Sequence, residues 1–125
     1  MIAIDTSAIV AILLGEPEAE RLARAIEKDE EPLLSAASLV ELFLVLKYKQ
    51  GRASVPLIEE FLATGSVTVC PVTPEQARLA QQASYRFSAL NFGDVFSYAL
   101  AKERGVGILF KGLDFAATDL EAVPY

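Results

Sequence analysis

The sequence predicts an α/β fold, a short parallel sheet flanked by helices. Three observations predict it. Four short apolar runs, at residues 2–5, 32–35, 66–70 and 106–110, read as strands. Segments with helical spacing and helix punctuation separate each run from the next, and strands joined in that way pair in parallel through right-handed crossovers. No repeat, low-complexity stretch or linker interrupts the 125 residues, so one domain spanning 1–125 is expected.

In chain order, residues 2–5 form a buried strand that ends on Asp5, and Thr6-Ser7 open a helix over 8–15. Gly15 and Pro17 break it. Pro17 then starts a second helix, with Glu18 and Glu20 suiting the positive end of its dipole and Leu22, Ala23 and Ile26 at helical spacing. The charged run from Glu27 to Glu31 reads as a solvated helix end and loop. The strand at 32–35 leads into a long helix over 36–50, closed by Gly51. A helix over 55–64 stops at Gly65, and the β-branched strand at 66–70 ends at Pro71. Thr73-Pro74-Glu75-Gln76 is a helix start signal for a helix running to about Phe87. Asn91 or Gly93 opens the helix over 94–104, Gly105 closes it, and 106–110 is the fourth strand.

Composition narrows the chemistry. A chain 53% hydrophobic and 22% charged is globular. No apolar run approaches the roughly 20 residues that span a bilayer, and the first residues lack the basic start of a signal peptide, which makes a cytoplasmic protein without a membrane partner the expectation. Cys70 has no second cysteine to pair with and reads as core. There is no histidine, which removes the usual zinc ligands and Ser-His or Cys-His catalysis. Carboxylates, hydroxyls, Lys and Arg remain, and an all-oxygen ligand set favours Mg²⁺ or Mn²⁺. A net charge of −6 is the wrong sign for unaided nucleic-acid binding, unless bound cations or a basic partner reverse the local field.

Three acids stand out by their surroundings. Glu41 lies in Ala36-Ala37-Ser38-Leu39-Val40-Glu41-Leu42-Phe43-Leu44-Val45-Leu46, apolar on nearly every face, where an uncompensated carboxylate costs several kcal/mol. Asp5 ends an apolar strand, and Asp94 sits between Asn91-Phe92-Gly93 and Val95-Phe96. Each has a plainer reading: Asp5 as an N-cap, Asp94 as a first-turn acid and Glu41 as a salt-bridged core residue; two further acids, Asp114 and Asp119, read by default as loop acids. Taken together they suggest a shared cation. In parallel α/β sheets ligands sit beyond the carboxyl ends of the strands, where Asp5 and the loop after Phe110 fall.

The order of these segments resembles the PIN-domain ribonucleases and, among them, the toxins of VapBC-type toxin–antitoxin pairs. The resemblance covers essentially the whole chain. It rests on Met1-Ile2-Ala3-Ile4-Asp5-Thr6-Ser7-Ala8, the Gly15-Glu16-Pro17 turn, Ser35 to Glu41, Leu90-Asn91-Phe92-Gly93-Asp94 through Ala101, and Leu109-Phe110-Lys111-Gly112-Leu113-Asp114-Phe115 with Thr118-Asp119. It implies a three-layer fold with four to five parallel strands. It also implies a Mg²⁺-dependent (or Mn²⁺-dependent) endoribonuclease whose metal ligands and catalytic acids are Asp5, Glu41, Asp94 and Asp114, with Asp119 as a further candidate. Thr6, Ser7, Asn91, Lys111 and Arg86 would position water or phosphate. The chain departs from many relatives at Leu113, where they carry an acid, and in a short loop before Asn91 whose basic residue is Arg86.

The implied substrate is structured RNA, and the implied partners are a cognate antitoxin and a second copy in a homodimer. Ile9, Val10, Ile12, Leu13, Leu14, Leu22 and Ile26 would offer the antitoxin a groove. A PIN-like binding platform with little or no nuclease activity is the alternative. A phosphoacceptor fold also places Asp after a strand, but its second acid would fall at Ser7.

Overall fold

The computed structural model describes all residues, Met1–Tyr125. Four strands, β1 (Ile2–Ile4), β2 (Pro32–Ser35), β3 (Thr68–Cys70) and β4 (Gly107–Leu109), form one parallel sheet in the order β3-β2-β1-β4. Six α-helices cover it: α1 (Thr6–Leu13), α2 (Ala19–Glu27), α3 (Ala36–Gln50), α4 (Ser54–Thr64), α5 (Pro74–Arg86) and α6 (Asp94–Arg104). β1 is central, pairing Ile2 with Pro32 on one side and with Gly107 on the other.

The three layers follow from the two-residue period of strands. Ile2, Ile4 and Leu34 point to one face and join Ile9, Leu22, Ile26, Leu42, Leu46 and Ile58 from α1–α4. Ala3, Leu33 and Ile108 point to the other and meet Ala80, Ala83, Val95, Tyr98 and Leu100 from α5 and α6. Connectivity explains the division. The chain steps from β1 to β2 to β3 in one direction and then returns past β1 to β4, so a constant crossover hand puts α1–α4 on one face and α5–α6 on the other. The reversal leaves a crevice between the carboxyl ends of β1 and β4, where such sheets hold ligands.

Helix ends carry the expected signals. Asp5, Ser35 and Thr73 each cap the helix that follows, accepting the N–H of Ser7, Ala37 and Gln76. Gly51 (φ 62°) and Gly105 (φ 65°) end α3 and α6 in conformations that side chains resist. The first helix is shifted two residues toward the N-terminus of its expected span, because Asp5 caps it and it begins at Thr6, and the second starts later than expected, because the turn through Pro17 delays α2 to Ala19.

α3 corrects one expectation. Leu42 and Leu46 are fully buried, but Val40 is 57% exposed and Leu44 51%. The apolar stretch therefore has one face in the core and another open to solvent, and Glu41 lies between them, half-buried. Of the residues expected to offer the antitoxin a groove on α1 and α2, Ile9, Leu22 and Ile26 are core and unavailable, while Val10, Ile12, Leu13 and Leu14 pack against that core and stay partly exposed.

Candidate active site

A cleft of about 330 Å³ opens at the crevice, lined by Asp5, Glu16, Glu41, Asp94 and Asp114, with Thr6, Ser7, Asn91, Lys111, Val10 and Val45. The four principal acids come from four separate segments: the end of β1, the second turn of α3, the start of α6 and the loop after β4.

Asp5 is 4% exposed and held from two directions. Its Oδ2 accepts the Ser7 N–H at 3.0 Å, and its Oδ1 accepts the Ser97 hydroxyl at 2.6 Å. The capping role and the place in the cleft thus belong to one residue, not to alternatives.

Asp94 is set by a reciprocal pair. Its N–H donates to Asn91 Oδ1 at 2.9 Å, and its Oδ2 accepts the Asn91 N–H at 3.0 Å, the arrangement of a capping box. Burial pushes the Asp94 carboxyl up to about 6; the Asn91 N–H opposes this, and the charges of Asp5 and Asp114 add to it. Repulsion of this kind is what an arriving cation relieves.

Glu41 takes part in none of the chain's ion pairs. Its carboxyl lies directly over Gly93, so close that a β-carbon built there would stand 1.8 Å from Oε2. A backbone without a side chain at Gly93 is what admits Glu41 to the cleft. Asp114 follows Gly112, whose φ of 103° turns the loop, and the loop is fastened to α1 where the Lys111 N–H donates to Ser7 Oγ at 3.0 Å.

The smaller expectations fare differently. The Thr6 hydroxyl donates to the Ser38 carbonyl at 3.2 Å and is buried, so although Thr6 lines the cleft its hydroxyl is committed to bracing α1 against α3. Asn91 lines the cleft, but its amide oxygen is engaged by Asp94. Lys111 reaches the cleft edge with its ammonium 3.0 Å from Glu16 and 3.0 Å from Glu18; the two acids hold its pKa above the usual lysine value, and Lys111 holds Glu18 below the usual carboxylate value. The free phosphate contact expected of Lys111 is therefore a paired cation that ties the α1–α2 turn to the last loop.

Arg86 and Asp119 lie outside the cleft. Asp119 accepts the Tyr98 hydroxyl at 2.8 Å and the Lys102 ammonium at 2.6 Å, with Arg86 at 3.3 Å. Lys102 lowers the Asp119 carboxyl, while burial first and Asp119 second push Tyr98 up to about 12. Both expectations are corrected: the pair is engaged beside α6, in fastening the chain after Phe115.

Glu16 was not foreseen. It lies in an irregular turn where no period marks a facing side, and only its complementarity to Lys111 hints at the place. Ser38 and Ser97, behind Asp5, were missed for a related reason, since isolated serines in apolar helices carry no signal of what they touch.

The donor set is all oxygen and suits a hard divalent cation. No three of the acids are already drawn together around one point. Glu41 has no ion pair to break in moving inward.

Comparison with known proteins gives a consistent picture. The family profile described as the PIN domain matches residues 2–121. Ribonuclease VapC30 of Mycobacterium tuberculosis is 42% identical over 127 residues, covering 96% of each chain. Among solved structures, M. tuberculosis VapC20, described as a sarcin–ricin loop cleaving toxin, superposes with a TM-score of 0.78 at 22% identity, over 99% of this chain and 100% of that one. A toxin–antitoxin complex from Klebsiella pneumoniae gives 0.77 at 15% identity, over 100% and 98%.

Proposed function

The chain belongs to the PIN-domain family, and from that premise we propose that it is a metal-dependent endoribonuclease, the toxin of a type II toxin–antitoxin pair. One observation carries the reading: Asp5, Glu41, Asp94 and Asp114 reach a single cleft from four separate segments, and the one ammonium there is already paired. Relatives that share two-fifths of the sequence are named ribonucleases. Phosphodiester hydrolysis is the chemistry such a cleft supports.

Asp5, Glu41, Asp94 and Asp114 would hold Mg²⁺, with Mn²⁺ as a substitute. When bound, the ion supplies Lewis acidity toward a phosphate oxygen and a lowered pKa for water. The chain's own residues do the rest. Asp5 and Asp94 are fixed by hydrogen bonds before any ligand arrives, so little ordering remains to be done on binding. Glu41, without an ion-pair partner, and Asp114, on an exposed loop, are free to adjust and to accept a proton from water. The Lys111–Glu16–Glu18 cluster holds the cleft's edge.

The acidic cleft also suits a basic side chain from a cognate antitoxin, a class of partner present in the Klebsiella complex. The open apolar face beside it, with Val40, Leu44 and the 82%-exposed Phe92, suits a second copy of the chain, since an uncharged patch is self-complementary about a two-fold axis. Leu44→Asp would then yield monomers by analytical ultracentrifugation.

Calorimetric titration of the partner-free protein with Mg²⁺ or Mn²⁺, beside an Asp5→Asn/Asp94→Asn double variant, tests the reading. Saturable binding lost in the variant, with RNA cleavage lost in parallel, is expected. Equal behaviour of the two proteins would favour the platform reading.

A further inference from the structure

Behind Asp5, on the side away from the cleft, lies a chain of hydroxyl groups with no role assigned so far. Ser97 of α6 and Ser38 of α3 are each 1% exposed. The Ser97 hydroxyl donates to Asp5 Oδ1 at 2.6 Å, and the Ser38 and Ser97 hydroxyl oxygens stand 3.2 Å apart. A serine hydroxyl has one proton. With that of Ser97 committed to the carboxylate, Ser38 donates to Ser97, and the protons run one way: Ser38 to Ser97 to Asp5.

Two features separate this arrangement from ordinary packing. A serine inside a helix usually turns its hydroxyl back to a carbonyl of the preceding turn; Ser97 instead bonds a residue 92 positions away, on another element. Alanine would let α3 and α6 approach just as closely, without burying two polar groups that need partners. Ser97 also stands one turn along from Asp94, so α6 presents a cleft acid and the anchor of a second acid from adjacent turns.

We propose that Ser97, backed by Ser38, is a positioning residue of the cleft: its hydrogen bond fixes the Asp5 carboxylate in the orientation that receives the divalent cation. The inference rests on the metal reading above. The Ser7 N–H holds Oδ2 and Ser97 holds Oδ1, so the carboxylate plane is set from both edges. Loss of Ser97 frees one edge and leaves Oδ1 without its donor in a side chain with little access to water. Partners of this kind, behind a metal ligand, are typically worth 10- to 100-fold in metal affinity.

The test is Mn²⁺ titration calorimetry on the whole protein, comparing wild type with Ser97→Ala, Ser97→Thr and Ser38→Ala, and thermal melts of the ion-free proteins in parallel. Ser97→Ala should bind Mn²⁺ on the order of 10- to 100-fold more weakly. Ser97→Thr keeps the hydroxyl and should stay near wild type. Equal affinities in wild type and Ser97→Ala would overturn the inference. So would an equal loss in Ser97→Ala and Ser97→Thr, since that pattern reports packing and not the hydrogen bond. Should Ser97→Thr fail to fold, Ser38→Ala decides: weakened binding supports the relay, and unchanged binding overturns it. No Mn²⁺ binding in the wild type would fell the metal reading itself, and the inference with it.

Discussion

Replacing Gly93 by alanine should lower nuclease activity while leaving the fold as stable as before or slightly more so. Gly93 has helical torsions (φ −68°, ψ −41°), which alanine adopts without strain. Substitution at such a position stabilises by about 0.4–1 kcal/mol, through the loss of freedom in the unfolded chain. The added β-carbon, however, would stand 1.8 Å from Glu41 Oε2, 2.6 Å from Cδ and 2.9 Å from Oε1. The helix start is held by the Asn91–Asp94 pair, and Glu41 is the end of a flexible side chain, so Glu41 is the group that moves. Restoring an ordinary contact of 3.4 Å displaces its carboxylate by about 1.6 Å. A misplacement of about 1 Å in a reacting constellation costs on the order of 100-fold in rate. The assay is RNA cleavage under single-turnover conditions, with the thermal midpoint measured on the same preparations. A wild-type rate at a wild-type midpoint would refute the reasoning, because Glu41 would then have no need of its place over Gly93. A midpoint that falls by many degrees would refute the packing argument instead.

Other perturbations separate the cleft from its scaffold. Asp5→Asn should abolish cleavage and Mn²⁺ binding with the fold retained by circular dichroism; an unchanged rate would remove Asp5 from the site. In ion-free protein Asp94 loses its proton near pH 6 when folded and near 3.8 when unfolded, so between those values the folded state binds more protons and stability falls as pH rises. The loss is complete by about pH 7, so wild type should gain midpoint temperature relative to Asp94→Asn as pH drops from about 7 to about 4, and parallel profiles would count against it. Asp119→Ala leaves the buried Tyr98 hydroxyl unpartnered and should destabilise by about 1–3 kcal/mol with the cleavage rate of the folded protein unchanged. A selective loss of rate at an unchanged midpoint would return Asp119 to the site.

Local chemistry determined a good deal here. β-Branched runs, proline starts and glycine stops fall where the backbone needs them, so the four strands and their intervening helices were readable from Ile2 to Leu109. Asp5, Glu41 and Asp94 were conspicuous because acids in apolar settings demand compensation. The chain order, with helices between all strands, also fixed the sheet as parallel and pointed to its carboxyl edge.

Tertiary structure decided everything that depends on which groups meet across long separations. Lys111 and Arg86 looked alike in sequence as basic residues near the acids, yet one closes on Glu16 and Glu18 at the cleft and the other on Asp119 beside α6. Asp114 and Asp119 are five positions apart on one loop, and only the turn at Gly112 and the anchor through Tyr98 send them to different places. The one-sided burial of α3, the seat of Glu41 over Gly93 and the hydroxyls behind Asp5 follow from the packing of α3 against α6. Periodicity tells which face of an element is apolar. It carries no information about the neighbour that covers that face, because that is settled by the summed packing of the whole chain.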